Sequence, residues 1–118
     1  MLIGQLFENL TPEFFRANTD IKITPVKSEG GYTVKWSEIF DGYIDVKYTL
    51  PRYAYIGAVE VNVTGQAELQ IFIDGTKIAC RDTGVIPVNM GGEDVVIRLR
   101  GMLPDIKLDT PMLFGFLP

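Results

Sequence analysis

Ile44, Val46, Tyr48 and Leu50 alternate with Tyr43, Asp45, Lys47 and Thr49, and this two-residue period constrains the fold more than any other feature of the chain. Successive side chains of a strand point to opposite faces, so the first set predicts a buried face and the second a wet one. The same period returns in Val59, Val61 and Val63 against Glu60, Asn62 and Thr64. It appears again in Leu69, Ile71 and Ile73, and in Val95, Ile97 and Leu99, the latter opposed by Val96, Arg98 and Arg100. Turn chemistry separates these runs: Ser28-Glu29-Gly30-Gly31, Asp41-Gly42, Gly65, Asp74-Gly75 and Asp82-Thr83-Gly84. Short strands at roughly 8–12-residue spacing, punctuated by Gly and Pro, predict an all-β antiparallel β-sandwich or barrel.

Smaller signals fill in the rest. Thr11 as cap, Pro12 at the first helical position and Glu13 in the first turn predict a short N-terminal helix, closed by Asn18-Thr19-Asp20. Phe14 and Phe15 would then plug one open end of the domain. Pro25 assigns the strand Ile21–Thr24 to a sheet edge. Pro51 separates two strands, Asn89-Met90-Gly91-Gly92 precedes another, and the apolar tail "PMLFGFLP" reads as a last core strand. At 118 residues the chain is read as one domain, 1–118, with enough length to bury a core without disulfides.

Composition then removes chemistry. There is no histidine, which takes away the usual general base, the imidazole metal ligand and every His-dependent triad. The single cysteine, Cys80, permits no intrachain disulfide; its place in the alternation after Ile78 reads as a small buried hydrophobe. Asp41, Asp45, Glu60, Asp74, Asp82, Glu93, Asp94, Asp105 and Asp109 are spread over turns and outward positions rather than paired, so a non-catalytic protein is expected. The net charge of −4 is dispersed, with no basic stripe for nucleic acid beyond Arg98 and Arg100. No apolar run approaches the ~20 residues of a membrane span, and Met1-Leu2-Ile3-Gly4 lacks the features of a signal peptide. The expectation is a cytoplasmic protein or a domain of a larger one, with neither nucleic acid nor membrane as partner.

Two sets of side chains exceed what folding asks for. Tyr32, Trp36, Arg52, Tyr53 and Tyr55 cluster near strand ends, where aromatic faces could stack on a sugar ring and Arg52 could fork to a diol or a carboxylate. The alternative is that Trp36 plugs the core and the tyrosines seal the ends of the domain. The second set comprises Tyr43, Asp45, Lys47, Gln70 and Phe72, with Arg98 and Arg100. An outward Phe72 breaks the polar face, and a loop that it covers, a homo-oligomer or a bound sugar would each account for it.

The order of three motifs adds a resemblance. "W-x-x-I-F-D-G" (Trp36 to Gly42) is followed by "Y-x-L-P-R-Y-A-Y-I-G-x-V-E-V" and then by "L-Q-I-F-I-D-G-T-K-I". Together, from Trp36 to Ile78, they resemble the galactose-binding-like jelly roll, the fold of discoidin and coagulation-factor type C modules and of many carbohydrate-binding modules. The resemblance implies a β-sandwich with a carbohydrate-binding role inside a larger enzyme or surface protein. No acidic loop near either end offers the structural Ca²⁺ site that many such domains carry, so neither metal nor cofactor is expected. The competing expectation is a structural or assembly domain, such as a phage or surface-particle subunit, acting through protein–protein contacts.

Overall fold

A computed structural model describes residues 4–36, 42–65, 67–81, 84–101 and 105–118, with the backbone alone at 67, 79–81 and 101. In chain order the strands are β1 (Gly4–Leu6), β2 (Phe14–Ala17), β3 (Ile23–Ser28), β4 (Gly31–Trp36), β5 (Ile44–Val61), β6 (Val63–Thr64), β7 (Ala67–Ile73), β8 (Thr76–Arg81), β9 (Gly84–Gly101), β10 (Asp105–Asp109) and β11 (Met112–Phe116). They form two antiparallel sheets. The seven-stranded sheet runs β1-β11-β5-β9-β7-β8, with β2 also on β5, and the four-stranded sheet runs β3-β4-β10-β6. Their buried side chains merge into one core, an arrangement compatible with a β-sandwich.

That core is the alternation made physical. Ile44, Val46, Tyr48 and Leu50 of β5, Leu69, Ile71 and Ile73 of β7, and Val95, Ile97 and Leu99 of β9 are all buried. Val34 and Trp36 of β4 and Ile106 and Leu108 of β10 supply the facing surface. β3 is the edge strand that Pro25 demands. Asp74 and Gly75 both have positive φ (48° and 82°), the backbone of the tight hairpin turn that this dipeptide favours. Asp74 adds a second function: its Oδ1 accepts the main-chain N–H groups of Glu93 (3.1 Å) and Asp94 (2.9 Å).

The N-terminal helix is absent. Residues 14–17 pair with β5 instead, Phe14 opposite Lys47 and Ala17 opposite Ile44. The ladder extends past both ends through Glu13 N–H to Lys47 C=O (2.7 Å) and Asn18 N–H to Tyr43 C=O (3.1 Å). Two helical turns are marginal in water whatever their cap, whereas this strand satisfies its backbone against an existing edge. Phe15 turns inward against the Tyr32 ring (5.2 Å), and Phe14 turns outward beneath Arg16 (4.2 Å), so the pair does not act as an end plug.

Pro51 and Gly91-Gly92 do not end strands either. β5 and β9 each run for 18 residues and pair along most of that length. Straight, such a strand would reach roughly 55–60 Å, yet the longest dimension of the molecule is 47 Å. Register shifts between Thr49 and Ala54 and between Ile56 and Ala58 bend the pair. The expected turn at Asp41-Gly42 and the expected burial of Cys80 lie outside the described residues and side chains.

Tyr48 carries a testable electrostatic consequence. Burial, and secondarily the nearby Tyr32, push its phenol well above the usual tyrosine range. The folded state therefore favours neutral Tyr48, and this contribution is complete below the unfolded value near 10 and is lost as pH rises above it. Urea titrations from pH 8 to 11.5 are expected to show stability falling by up to about 1.4 kcal/mol per pH unit above pH 10. Tyr48→Phe should flatten that part of the slope.

Candidate functional site

The first register shift in β5 creates the candidate site. Thr49 faces Asp94 and Ala54 faces Gly92, so residues 50–53 on β5 stand against Glu93 alone on β9. Leu50 keeps its place in the core, while Pro51, Arg52 and Tyr53 are pushed out into solvent. Tyr53 is 50% exposed, the only large aromatic in that state among the described residues. Its ring lies on the backbone of β9: a Cβ at Gly91 would stand 1.8 Å from the Tyr53 hydroxyl oxygen. The hydroxyl end of the ring therefore lies directly over Gly91, and a side chain there would make the ring shift outward.

Arg52 is tied to the far end of the chain. Its Nη2 donates to the main-chain oxygen of Pro118 (3.3 Å). Tyr55 faces the same side and stacks on Phe116 of β11, with ring centroids 4.8 Å apart and planes 20° from parallel. β11 reaches that close because residue 115 is Gly; a Cβ there would stand 1.8 Å from the Tyr55 carbonyl oxygen. The result is a surface of Arg52, Tyr53, Tyr55 and Phe116 carried on two bonded strands, β5 and β11, with Gly91 of β9 beneath the Tyr53 ring.

Phe116, Gly91 and Pro118 are members of this surface that the sequence reading missed. The alternation Met112, Phe114, Phe116 in the tail already assigns these three to one face. What it does not say is which strand lies beside them.

Trp36 and Tyr32 stand elsewhere. Trp36 is 6% exposed within the core between the sheets, where it has no face to offer a ligand. Tyr32 is half-buried at the start of β4, beside Lys27 of β3 and against Phe15. The five expected ligand contacts therefore divide into three together, one in the core and one in a separate cleft.

The outward face of the first half of β5 explains Phe72. The Arg98 guanidinium lies 3.7 Å from the Tyr43 ring centroid and 4.6 Å from that of Phe72, while bonding Asp45 through Nε (2.8 Å) and Nη2 (3.1 Å). The hydrogen bond to Asp45 raises the arginine above its already high ordinary value, so it is charged at every working pH. Phe72 is thus half of an aromatic clamp on a cation, and its position needs no loop for it to cover. Next to it Lys47 sits within reach of Glu13 (3.8 Å) and Asp94 (4.0 Å). Asp45→Ala and Phe72→Ala are each expected to cost about 1 kcal/mol in urea unfolding, and the double variant less than the sum because both act on Arg98.

Among the described residues no group of three or more Asp, Glu, Cys or His side chains could hold a metal ion. A scan against protein-family models and searches of the curated proteins and of the solved structures return no match for this chain. The functional reading therefore rests on the geometry of the site.

Proposed function

We propose that this protein is a non-catalytic binding module of the galactose-binding-like jelly-roll type, recognising carbohydrate through Arg52, Tyr53 and the Tyr55–Phe116 pair. The observation that carries the reading is a half-exposed aromatic ring, lying over Gly91, beside an exposed arginine with donors to spare. A sugar ring presents a C–H face to such an aromatic and its hydroxyls to a guanidinium fork, a combination that small-ligand sites use repeatedly. Strand-borne side chains hold that geometry more firmly than loop-borne ones, which lowers the ordering cost of binding. The absence of histidine and the dispersed carboxylates argue for binding without turnover. Glycan-array binding of the intact chain should give a defined set of positive sugars, reduced at least tenfold by Tyr53→Ala and by Arg52→Ala. An array blank for the unmodified protein counts against the proposal.

A second reading, assembly through protein–protein contacts, has its own support in the other half of the large sheet. There the outward positions carry Met112, Phe114, Pro87 and Val85 with Glu60 as the charged member, and Val85 is 59% exposed. Residues 84–90 of β9 bond β5 on one side and no strand on the other among the described residues. Pro87 and the positive φ of Asn89 (53°) blunt that edge, in the way natural sheets resist uncontrolled pairing. Light scattering discriminates: a stable oligomer dispersed by Val85→Lys supports assembly, and a monomer at high concentration supports the module.

A further inference from the structure

A cleft away from the platform has the chemistry of a second ligand site. It has a volume of 360 Å³ and opens where the β1–β2 connection, the β3–β4 turn and the β10–β11 connection meet. Its polar lining is Asn9, Thr11, Lys27, Ser28, Tyr32 and Thr110. Register sets this composition: Tyr32 pairs with Lys27 on one side and with buried Leu108 on the other, so all three share the face turned toward the core. Lys27 is itself exposed and lines the cleft at its rim.

Three features go beyond a surface crevice. Lys27 has no ion-pair partner among the described residues, and no carboxylate lines the cleft, although Glu8, Glu29 and Asp109 are the chain neighbours of lining residues and Asp109 pairs with Lys107 (3.7 Å). Three hydroxyl side chains, a phenol and an amide surround that lone cation, offering both donors and acceptors. The connection forming one wall holds Phe7 and Asn9 at positive φ (48° and 59°), a conformation that is costly for a phenylalanine and collects at ligand sites.

We infer that this cleft binds a small hydroxyl-bearing anion of monosaccharide size, with Lys27 meeting the negative group and Tyr32, Asn9 and the Ser and Thr hydroxyls meeting the hydroxyls. The volume lies at the small end of the range for ligand pockets, which fits one sugar unit and not a chain. The lone cation selects a carboxylate- or phosphate-bearing ligand over a neutral one. This site is separate from Arg52 and Tyr53 and stands or falls independently of the platform.

The test is an amide-detected NMR titration of the intact chain with glucuronate, glucose 6-phosphate, glucose and inorganic phosphate. At least one anionic sugar should shift the amides of Gly30, Gly31, Tyr32 and Thr110 saturably, with glucose requiring roughly tenfold more. Lys27→Ala should weaken the anionic sugar about tenfold, as loss of a hydrogen bond to a charged group does. Tyr53→Ala should leave it unchanged, which separates failure here from failure at the platform. Four results overturn the inference: no saturable shift with either anionic sugar, equal binding of glucose, inorganic phosphate binding as tightly as the sugar phosphate, or indifference to Lys27→Ala.

Discussion

Trp36→Ala is expected to lower stability by about 3–5 kcal/mol, the usual cost of emptying a large buried aromatic site. At a size of 118 residues, that corresponds to a drop in Tm of roughly 12–20 °C. The indole is 6% exposed among the core residues of both sheets, with Val34 two residues before it on β4 and Ile23 opposite it on β3. Its removal leaves a cavity that two bonded sheets cannot close. Circular dichroism melts check this directly, and a loss below about 1 kcal/mol would show that the residue is not the core element described here. Ligand binding by whatever fraction stays folded should be unchanged, because Trp36 has no exposed face.

Gly115→Ala is the second large effect, expected at about 3 kcal/mol or failure to fold, from a single added methyl group. Its Cβ would stand 1.8 Å from the carbonyl oxygen of Tyr55 and 3.1 Å from Leu6. The first contact is with backbone, which cannot rotate away as a side chain would. β11 must shift from β5, and that movement unstacks Phe116 from Tyr55 and carries Pro118 from Arg52. Gly4→Ala, on the strand beyond and with open space around its Cβ, is the matched control and should cost less than about 0.5 kcal/mol.

The inner faces of both long strands were legible from the chain because period-two burial is a local property: Ile44 to Leu50 and Val95 to Leu99 need no knowledge of their neighbours. The helix expected at Thr11-Pro12-Glu13 shows the opposite case. Its capping signals are real, but pairing with Tyr43 to Lys47 offers Phe14–Ala17 a full ladder that the local sequence cannot announce. Pro51 misled for a related reason. Proline ends a strand only where its missing N–H is needed, and here it sits in the bulge, pushed out of the β5–β9 ladder.

The candidate site was legible in the same partial way. Arg52, Tyr53 and Tyr55 stand out in sequence because folding does not ask for them. Their partners do not stand out, since Pro118 is 66 residues from Arg52 and Phe116 meets Tyr55 only through the β5–β11 register. Trp36 and Tyr32 look equivalent to the tyrosines in sequence, and only burial separates them.

Affinity electrophoresis through gels containing polysaccharides, paired with thermal melts of the same samples, tests the central claim most directly. The unmodified chain should be retarded by at least one polysaccharide. Tyr53→Ala should abolish that retardation while shifting Tm by less than about 2 °C, as a half-exposed residue allows. Retardation by no polysaccharide, or retardation that survives Tyr53→Ala and Arg52→Ala alike, would contradict the platform as the binding surface.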